Sequence, residues 1–320
     1  MRKGQKKTEM IEESQVWQKL GLVFSPDQGP QWMKSHAQVP TPLICDDFVR
    51  VYFATRPEPT ISLTSFVDLD INDLTKVVYI HPEPILELGN PGAFDEHGIM
   101  PSCAVREGNK VYLYYSGWQR GTTVPYTNST GLAVSKDGGR TFQKVSEGPI
   151  LTKNLYDPYS ATSPCVLHDH KKWHMWYCSG VNWIKVVNKY EHTYDVKYAH
   201  SKDGILWNPT GESSIVQTSS EEAITRPWVL NVNGLKKMWF CTRGSRNFRE
   251  GSEAYSIGYA QYINDTWIRQ NQKIKNYETE QNWDSNTMAY PALYFANDNL
   301  IMLYNGNNFG KDGFGAAMLL

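Results

Sequence analysis

Three polar side chains stand five residues ahead of three prolines in this chain: Glu96 before Pro101, Tyr159 before Pro164 and Glu222 before Pro227. Two carboxylates facing one another across a cleft suit the chemistry of a glycosidic bond, one as acid and the other as base or nucleophile. The short peptides around them, SHAQV, FDEHGIM, DPYSATS, EEAITR and WDSNTMAY, also carry His36, Gln38, Asp95, His97, Asp157, Glu221, Arg226, Asp284 and Asn286. Asp95, Glu96 and Glu222 are the candidate acids and bases. The remaining residues, with Tyr159, are candidate substrate contacts. The competing use of such side chains is to cap strand ends and bond loop backbone.

A second set of peptides reads ATRPE, YSGWQRG, CSGVNW, CTRGS and YNGNN. Arg56 and Arg243 share one offset in it, and Trp118, Arg120 and Trp183 lie just beyond. Aromatic faces beside guanidinium groups suit a sugar ring that carries a phosphate or carboxylate; pairing with nearby surface acids is the alternative. His168, His170 and His174 resemble a metal cluster but straddle a turn. No closed zinc-type ligand set appears, so neither a metal nor a cofactor is expected.

These peptides sit at fixed points of a repeat. Pro40, Pro101, Pro164, Pro227 and Pro291 are separated by 61, 63, 63 and 64 residues, and an aromatic follows each by 13: Phe53, Tyr114, Tyr177, Phe240 and Tyr304. Between proline and aromatic runs an apolar stretch, a polar turn and a second apolar stretch, which is a hairpin pattern. A third strand follows, clearest in TGLAVSKDGG and VKYAHSKDGI, whose Asp-Gly suits a tight turn. A fourth is expected at VVYIHPEPIL, FQKVSEGPIL, near SSIVQTS and at WIRQNQKI. Four strands in each of five units predict an all-β, five-bladed β-propeller. The last unit stops at its third strand, GFGAAMLL, so LGLVFSP near the N-terminus is expected to complete blade five and close the ring. Residues 1–15 read as a tail and 16–320 as one domain. The first strand of each blade lines a propeller's channel, so the pre-proline peptides are expected to meet at one mouth.

Composition narrows the partners. Formal net charge is -1, with 20% charged and 40% hydrophobic residues. That balance asks for neither nucleic acid nor an acidic membrane surface. No apolar run is long enough to span a bilayer, and MRKGQKKTEMIEES has no apolar core of a secretory signal. Five cysteines without a C-x-x-C pair read as free thiols, which points to a cytoplasmic location. The sequons at Asn128 and Asn264 then carry no weight. A small-molecule or oligosaccharide ligand is expected, and the oligomeric state is left open.

The peptides SHAQVPTPL, FDEHGIMPSC, YLYYSGW, TVPYTNSTGLAVSKDGG, HMWYCSG, YAHSKDG, RPWVL, WDSNTMAYP and YNGNNFGKDGFG resemble the five-bladed propeller glycosidase superfamily. That superfamily holds the invertase, levansucrase and arabinanase-like enzymes of glycoside hydrolase families 32, 43, 68 and 130. The nearer resemblance is to bacterial proteins of surface-polysaccharide gene clusters. The resemblance implies an acid at the start of blade one, an Asp in blade two and a Glu in blade three. Asp95 matches the second. Blade one instead offers Ser35, His36 and Gln38, and blade three offers Asp157, Tyr159 and Thr162. An acid implied after WDS in blade five is replaced by Asn286, Thr287, Met288 and Ala289. Three functions follow: a glycoside hydrolase; a glycosyltransferase or phosphorylase using an activated sugar; and a propeller that only binds sugar or protein.

Overall fold

The computed structural model describes residues 15–169, 171–249, 251–270, 275–276 and 282–320. Of the expected tail, only Gln15 falls within this range, and His170 lies outside it. The protein is all-β. After β1 (Val16–Phe24), the strands pair antiparallel in groups of four. The first is β2 (Ser35–Ile44), β3 (Phe48–Glu58), β4 (Ile61–Asp70) and β5 (Val77–Ile80). The second is β6 (Gly98–Glu107), β7 (Lys110–Arg120), β8 (Tyr126–Ser135) and β9 (Gln143–Lys144). The third is β10 (Ala161–His168), β11 (Trp173–Val186), β12 (Lys189–Ser201) and β13 (Trp207–Ile215). The fourth is β14 (Ala223–Val232), β15 (Leu235–Arg243), β16 (Ser256–Ile263) and β17 (Thr266–Arg269). After β18 (Lys275–Asn276) come β19 (Ala289–Ala296), β20 (Asn299–Asn305) and β21 (Phe314–Leu319). β1 completes this last group, antiparallel to β21 and parallel to β18.

Single parallel bridges, Ser62 to Gly98 and Ser129 to Ala161, connect the first three groups into one 12-stranded sheet. The first strands pack in a circuit: β2 on β6, β6 on β10, β10 on β14, β14 on β19, and β19 on β2. The fourth strands vary most from the sequence reading. β9 keeps only two paired residues of FQKVSEGPIL, and β13 begins at Trp207, upstream of SSIVQTS.

The repeated columns have physical causes. All five column aromatics are fully buried, each contributing roughly 1.5–3 kcal/mol of apolar burial. At the column prolines the ladder slips: pairing jumps from Gln38 to Thr41, Pro101 to Cys103, Thr162 to Cys165, Thr225 to Trp228 and Ala289 to Ala292. A proline lacks the N–H that a ladder needs, so it is tolerated at a bulge. In four groups the residue ahead of the proline has positive φ: Val39 (51°), Ser163 (49°), Arg226 (53°) and Tyr290 (58°). Such strain persists only where neighbours enforce it. Here each of those N–H groups donates to the preceding group's second strand: Val39 to Asn305 Oδ1 (2.8 Å), Ser163 to Ser116 Oγ (3.0 Å), Arg226 to Cys178 Sγ (3.1 Å) and Tyr290 to Cys241 Sγ (2.8 Å).

The Ser-Lys-Asp-Gly turns form a second joint between groups. Ser135 and Asp137 fold one turn and Ser201 and Asp203 the other. The glycine carbonyls that result accept Tyr52 Oη (Gly139, 2.7 Å) and Tyr114 Oη (Gly204, 2.8 Å) from the preceding group. Among the described residues all five cysteines are free thiols, four of them buried within strands.

Candidate functional site

One cavity of about 280 Å³ takes side chains from all five groups. Gln38 and Arg56 come from the first, Met100, Trp118, Tyr126 and Asn128 from the second, and Glu191 from the third. Arg243, Phe248, Arg249 and Tyr255 come from the fourth, and Tyr290 and Phe309 from the fifth. The second strands place Arg56 and Arg243 at corresponding ends, as their shared sequence offset implies, and Trp118 at the same end of β7. β12 supplies Glu191, and the connection from β15 to β16 supplies Phe248, Arg249 and Tyr255.

The wall of this mouth carries three guanidinium groups and one carboxylate. Arg249 meets Glu191 through two bonds of 2.6 and 3.1 Å. Arg56 donates Nε–H to Gln38 Oε1 at 3.0 Å, and no carboxylate pairs with it among the described residues. Burial pushes its pKa down, as it does for a cation with too little solvation. Arg243, also without a carboxylate among the described residues, donates to Tyr255 Oη (3.1 Å), Gly244 O (2.7 Å) and His192 O (2.9 Å). Its guanidinium carbon lies 3.8 Å from the Phe248 ring centre, a cation–π contact that orients the plane. The Trp118 indole is fixed by an Nε1–H bond to Ser62 Oγ at 2.7 Å.

The pre-proline acids are turned elsewhere. Asp95 accepts Tyr115 Oη (3.0 Å) and Lys144 Nζ (2.7 Å). Asp157 accepts Tyr177 Oη (3.0 Å) and Ser179 Oγ (2.6 Å), with Lys197 Nζ at 3.4 Å. Asp284 accepts Tyr304 Oη (2.7 Å) and meets Lys19 Nζ at 2.8 Å. The same triad therefore recurs in groups two, three and five: an aspartate in the entry loop, a second-strand tyrosine and a lysine from the third or fourth strand. All three aspartates are at most 3% exposed. Glu222 fills this role in group four, bonded to Arg269 from β17 at 2.6 and 3.1 Å, to the Thr242 hydroxyl and to Thr218. Burial alone would raise the Glu222 carboxyl; Arg269 and the two threonines hold it at about 2. The stability it contributes is complete above about pH 4.5 and is lost as pH falls towards 2.

Of the other predicted residues, Glu96 does not line the cavity. It accepts Gly92 N–H (2.7 Å) and Gln119 Nε2–H (3.2 Å), which lower its pKa, and His97 Nδ1 lies 3.5 Å away. His97 also approaches the Trp118 ring at 6.0 Å. His36 adjoins Ser35 Oγ at 2.8 Å, and burial together with Arg56 and Lys311 lowers its pKa to about 4. Glu221 is ion-paired with Arg246 at the surface, and Asn286 is exposed, its N–H on Asn307 Oδ1. Arg120 caps the end of β7. Arg226 stands in the interior at 2% exposure, donating to Pro101 O, Pro40 O and Thr41 Oγ1 at 3.1, 3.2 and 2.9 Å. It thereby ties group four to groups one and two, away from the mouth cavity.

Trp183 and Tyr159 meet at His192. The Trp183 ring stacks on it at 4.0 Å and the Tyr159 ring faces it edge-on at 6.3 Å. Neither His192 ring nitrogen has a hydrogen-bond partner among the described residues, and burial, then Arg243, lowers its pKa to about 3. A histidine held neutral this way favours the folded state above pH 6.5 and ceases to as pH falls from 6.5 towards 3. His192→Phe is therefore expected to keep the thermal midpoint at pH 7 and to lose less of it than the wild type between pH 6.5 and 4. Equal acid slopes in both proteins, measured by circular dichroism, would contradict this.

Glu191, Arg249, Phe248, Tyr255 and Phe309 were not reached from the sequence. They lie outside the two repeated peptide columns, on a lengthened hairpin and an irregular connection. The only trace was the unusual length between CTRGS and SIGYAQYIND.

The model of the glycosyl hydrolases family 32 N-terminal domain matches residues 77–308. A protein of Mycobacterium tuberculosis described as uncharacterized protein Rv1502 is 34% identical over 307 residues, 95% of this chain and 99% of that protein. Among solved structures, a glycoside hydrolase superposes with a TM-score of 0.74 at 15% identity, covering 96% of this chain and 92% of the other. A glycosyl hydrolase from Bacteroides ovatus superposes with a TM-score of 0.69 at 12% identity, covering 96% and 94%. At these identities the structural likeness shows the fold, a glycoside hydrolase propeller. No helix among the described residues is long and apolar enough to cross a membrane.

Proposed function

We propose that this chain, which belongs to the glycosyl hydrolases family 32 N-terminal domain family, binds an anionic, activated sugar in its mouth and transfers the glycosyl group from it. The five antiparallel groups are read as five blades, with β1 closing the ring beside β21. The observation that carries the functional reading is the wall of the mouth, in which Arg56 and Arg243 from two blades face one cavity without a carboxylate partner among the described residues. A phosphate or carboxylate on the sugar would supply the missing charge, held by charge-assisted bonds. A phosphate or nucleotide leaves as a stable anion, so its departure needs no proton from a carboxylic acid. Such a reaction asks for one carboxylate at most, and the wall holds one, Glu191, itself paired with Arg249. Two-carboxylate hydrolysis is less well served, because Asp95, Asp157, Asp284 and Glu222 are spent on the blades themselves.

Titration calorimetry with glucose 1-phosphate, UDP-glucose, glucuronic acid and glucose tests this. At least one anionic ligand is expected to bind ten-fold or more tighter than glucose, and Arg243→Met to remove that preference. Equal binding of charged and neutral sugars would overturn it. Hydrolysis keeps one specific support, Glu96 beside His97, whose ring approaches the cavity residue Trp118. Release of free sugar that Glu96→Gln abolishes would establish that reading instead.

A further inference from the structure

We propose that a second cleft, between the third and fourth groups at the opposite end of the strands from the mouth, binds a neutral oligosaccharide. The cleft encloses about 350 Å³. It is bounded by the opening residues of β11 and β15 and by the β16–β17 turn, whereas Arg243 closes β15 at the mouth. Aromatic rings line it, with Tyr198, Tyr262 and Trp267 partly exposed and Trp176 almost wholly buried. Trp176 meets Trp267 edge-on at 5.9 Å and Tyr198 at 5.6 Å, and Trp267 meets Tyr262 at 5.2 Å. Two neighbours in the lining fix the rings: Tyr198 Oη bonds His174 Nδ1 at 2.7 Å, and Lys236 Nζ lies 5.7 Å from the Tyr262 ring centre.

The polar groups at the edge identify the ligand class. Glu212 and Asp265 are exposed, and neither is ion-paired among the described residues. Their oxygens are acceptors for hydroxyl donors, and with Lys236 they leave the cleft one charge negative. His174 adds no charge at neutral pH, since burial lowers its pKa. An anionic ligand of the kind assigned to the mouth would be repelled here. None of the lining residues is aliphatic, so the cleft lacks the apolar pockets that hold a peptide's anchor side chains. Aromatic faces bordered by carboxylates and hydroxyls instead match the C–H faces and equatorial hydroxyls of sugar rings. Binding at this cleft is independent of what the mouth binds.

The test is titration of the full chain with raffinose, maltotriose and cellotriose, read by calorimetry. At least one trisaccharide is expected to bind, and Trp267→Ala to weaken it ten-fold or more. Glu212→Ala, at an exposed position whose loss leaves the core untouched, is expected to weaken it at least three-fold, while Arg56→Gln at the mouth leaves it unchanged. Absence of binding by all three sugars overturns the proposal. So does binding that falls with Arg56→Gln and is indifferent to Glu212→Ala.

Discussion

A chain that begins at residue 27 is expected to have no cooperative fold. The deletion removes β1, whose Trp17 and Phe24 are fully buried and whose Val23 is nearly so. Phe24 packs against Phe53 of the first group at 5.0 Å and Phe314 of the last at 5.9 Å, so it spans the junction between the two ends of the chain. Gln15 goes as well, leaving the indole N–H of Trp239 without its 2.8 Å acceptor, and Asp284 loses Lys19. Burial of three such side chains is worth roughly 1.5–3 kcal/mol each, against a typical total stability of about 5–15 kcal/mol. The bare edge of β21 would also be left open to pairing with other chains. A melting curve followed by circular dichroism should show no sigmoidal transition. A truncated protein that melts like the full chain would refute the closure of the ring by β1.

The second large effect is expected at Asp157. Asp157→Ala removes the acceptor of four donors at once: the hydroxyls of Tyr177 and Ser179, the side-chain amide of Asn154 and the ammonium of Lys197, which is itself only 11% exposed and keeps the Tyr156 carbonyl. Removing one member of a buried ion pair costs about 3–5 kcal/mol, because the other charge stays buried unpaired. The variant should unfold at a much lower denaturant concentration, yet bind sugars as the wild type does wherever it remains folded. If it were fully stable and unable to bind, Asp157 would be a ligand contact and the blade-clamp assignment would be wrong. The repetition of the same triad around Asp95 and Asp284 predicts the same pattern of loss there.

The columns of proline and aromatic were legible because each marks a position that the strand geometry forces: a ladder bulge in the first strand and a fully buried ring in the second. The pairing of LGLVFSP with the third strand of the last group was legible from counting strands. What spacing could not disclose is where an acid points. Asp95, Asp157 and Glu222 precede strands that converge on one axis, and from sequence they read as convergent side chains. The structure turns each back into its own group of strands, towards Tyr115 and Lys144, towards Tyr177 and Lys197, and towards Arg269. The partners lie 20 to 49 residues away, a separation no local pattern encodes. Arg226 departs from its sequence reading for the same reason, since its partners Pro40 and Pro101 belong to other groups of strands. Arg56 and Arg243 were found because equal offsets in a repeat become equal places around an axis. Glu191 and Arg249 sit on insertions that the repeat does not contain.

The most direct test of an anion-binding mouth is a crystal structure of the protein soaked with a sugar phosphate that calorimetry shows to bind. The phosphate is expected within hydrogen-bond distance of Arg56 and Arg243, its sugar ring against Trp118, with Asp95, Asp157 and Glu222 still bonded within their blades. A sugar ring held between Glu96 and a second freed carboxylate, with the phosphate pointing to solvent, would contradict it and restore hydrolysis as the function of this mouth.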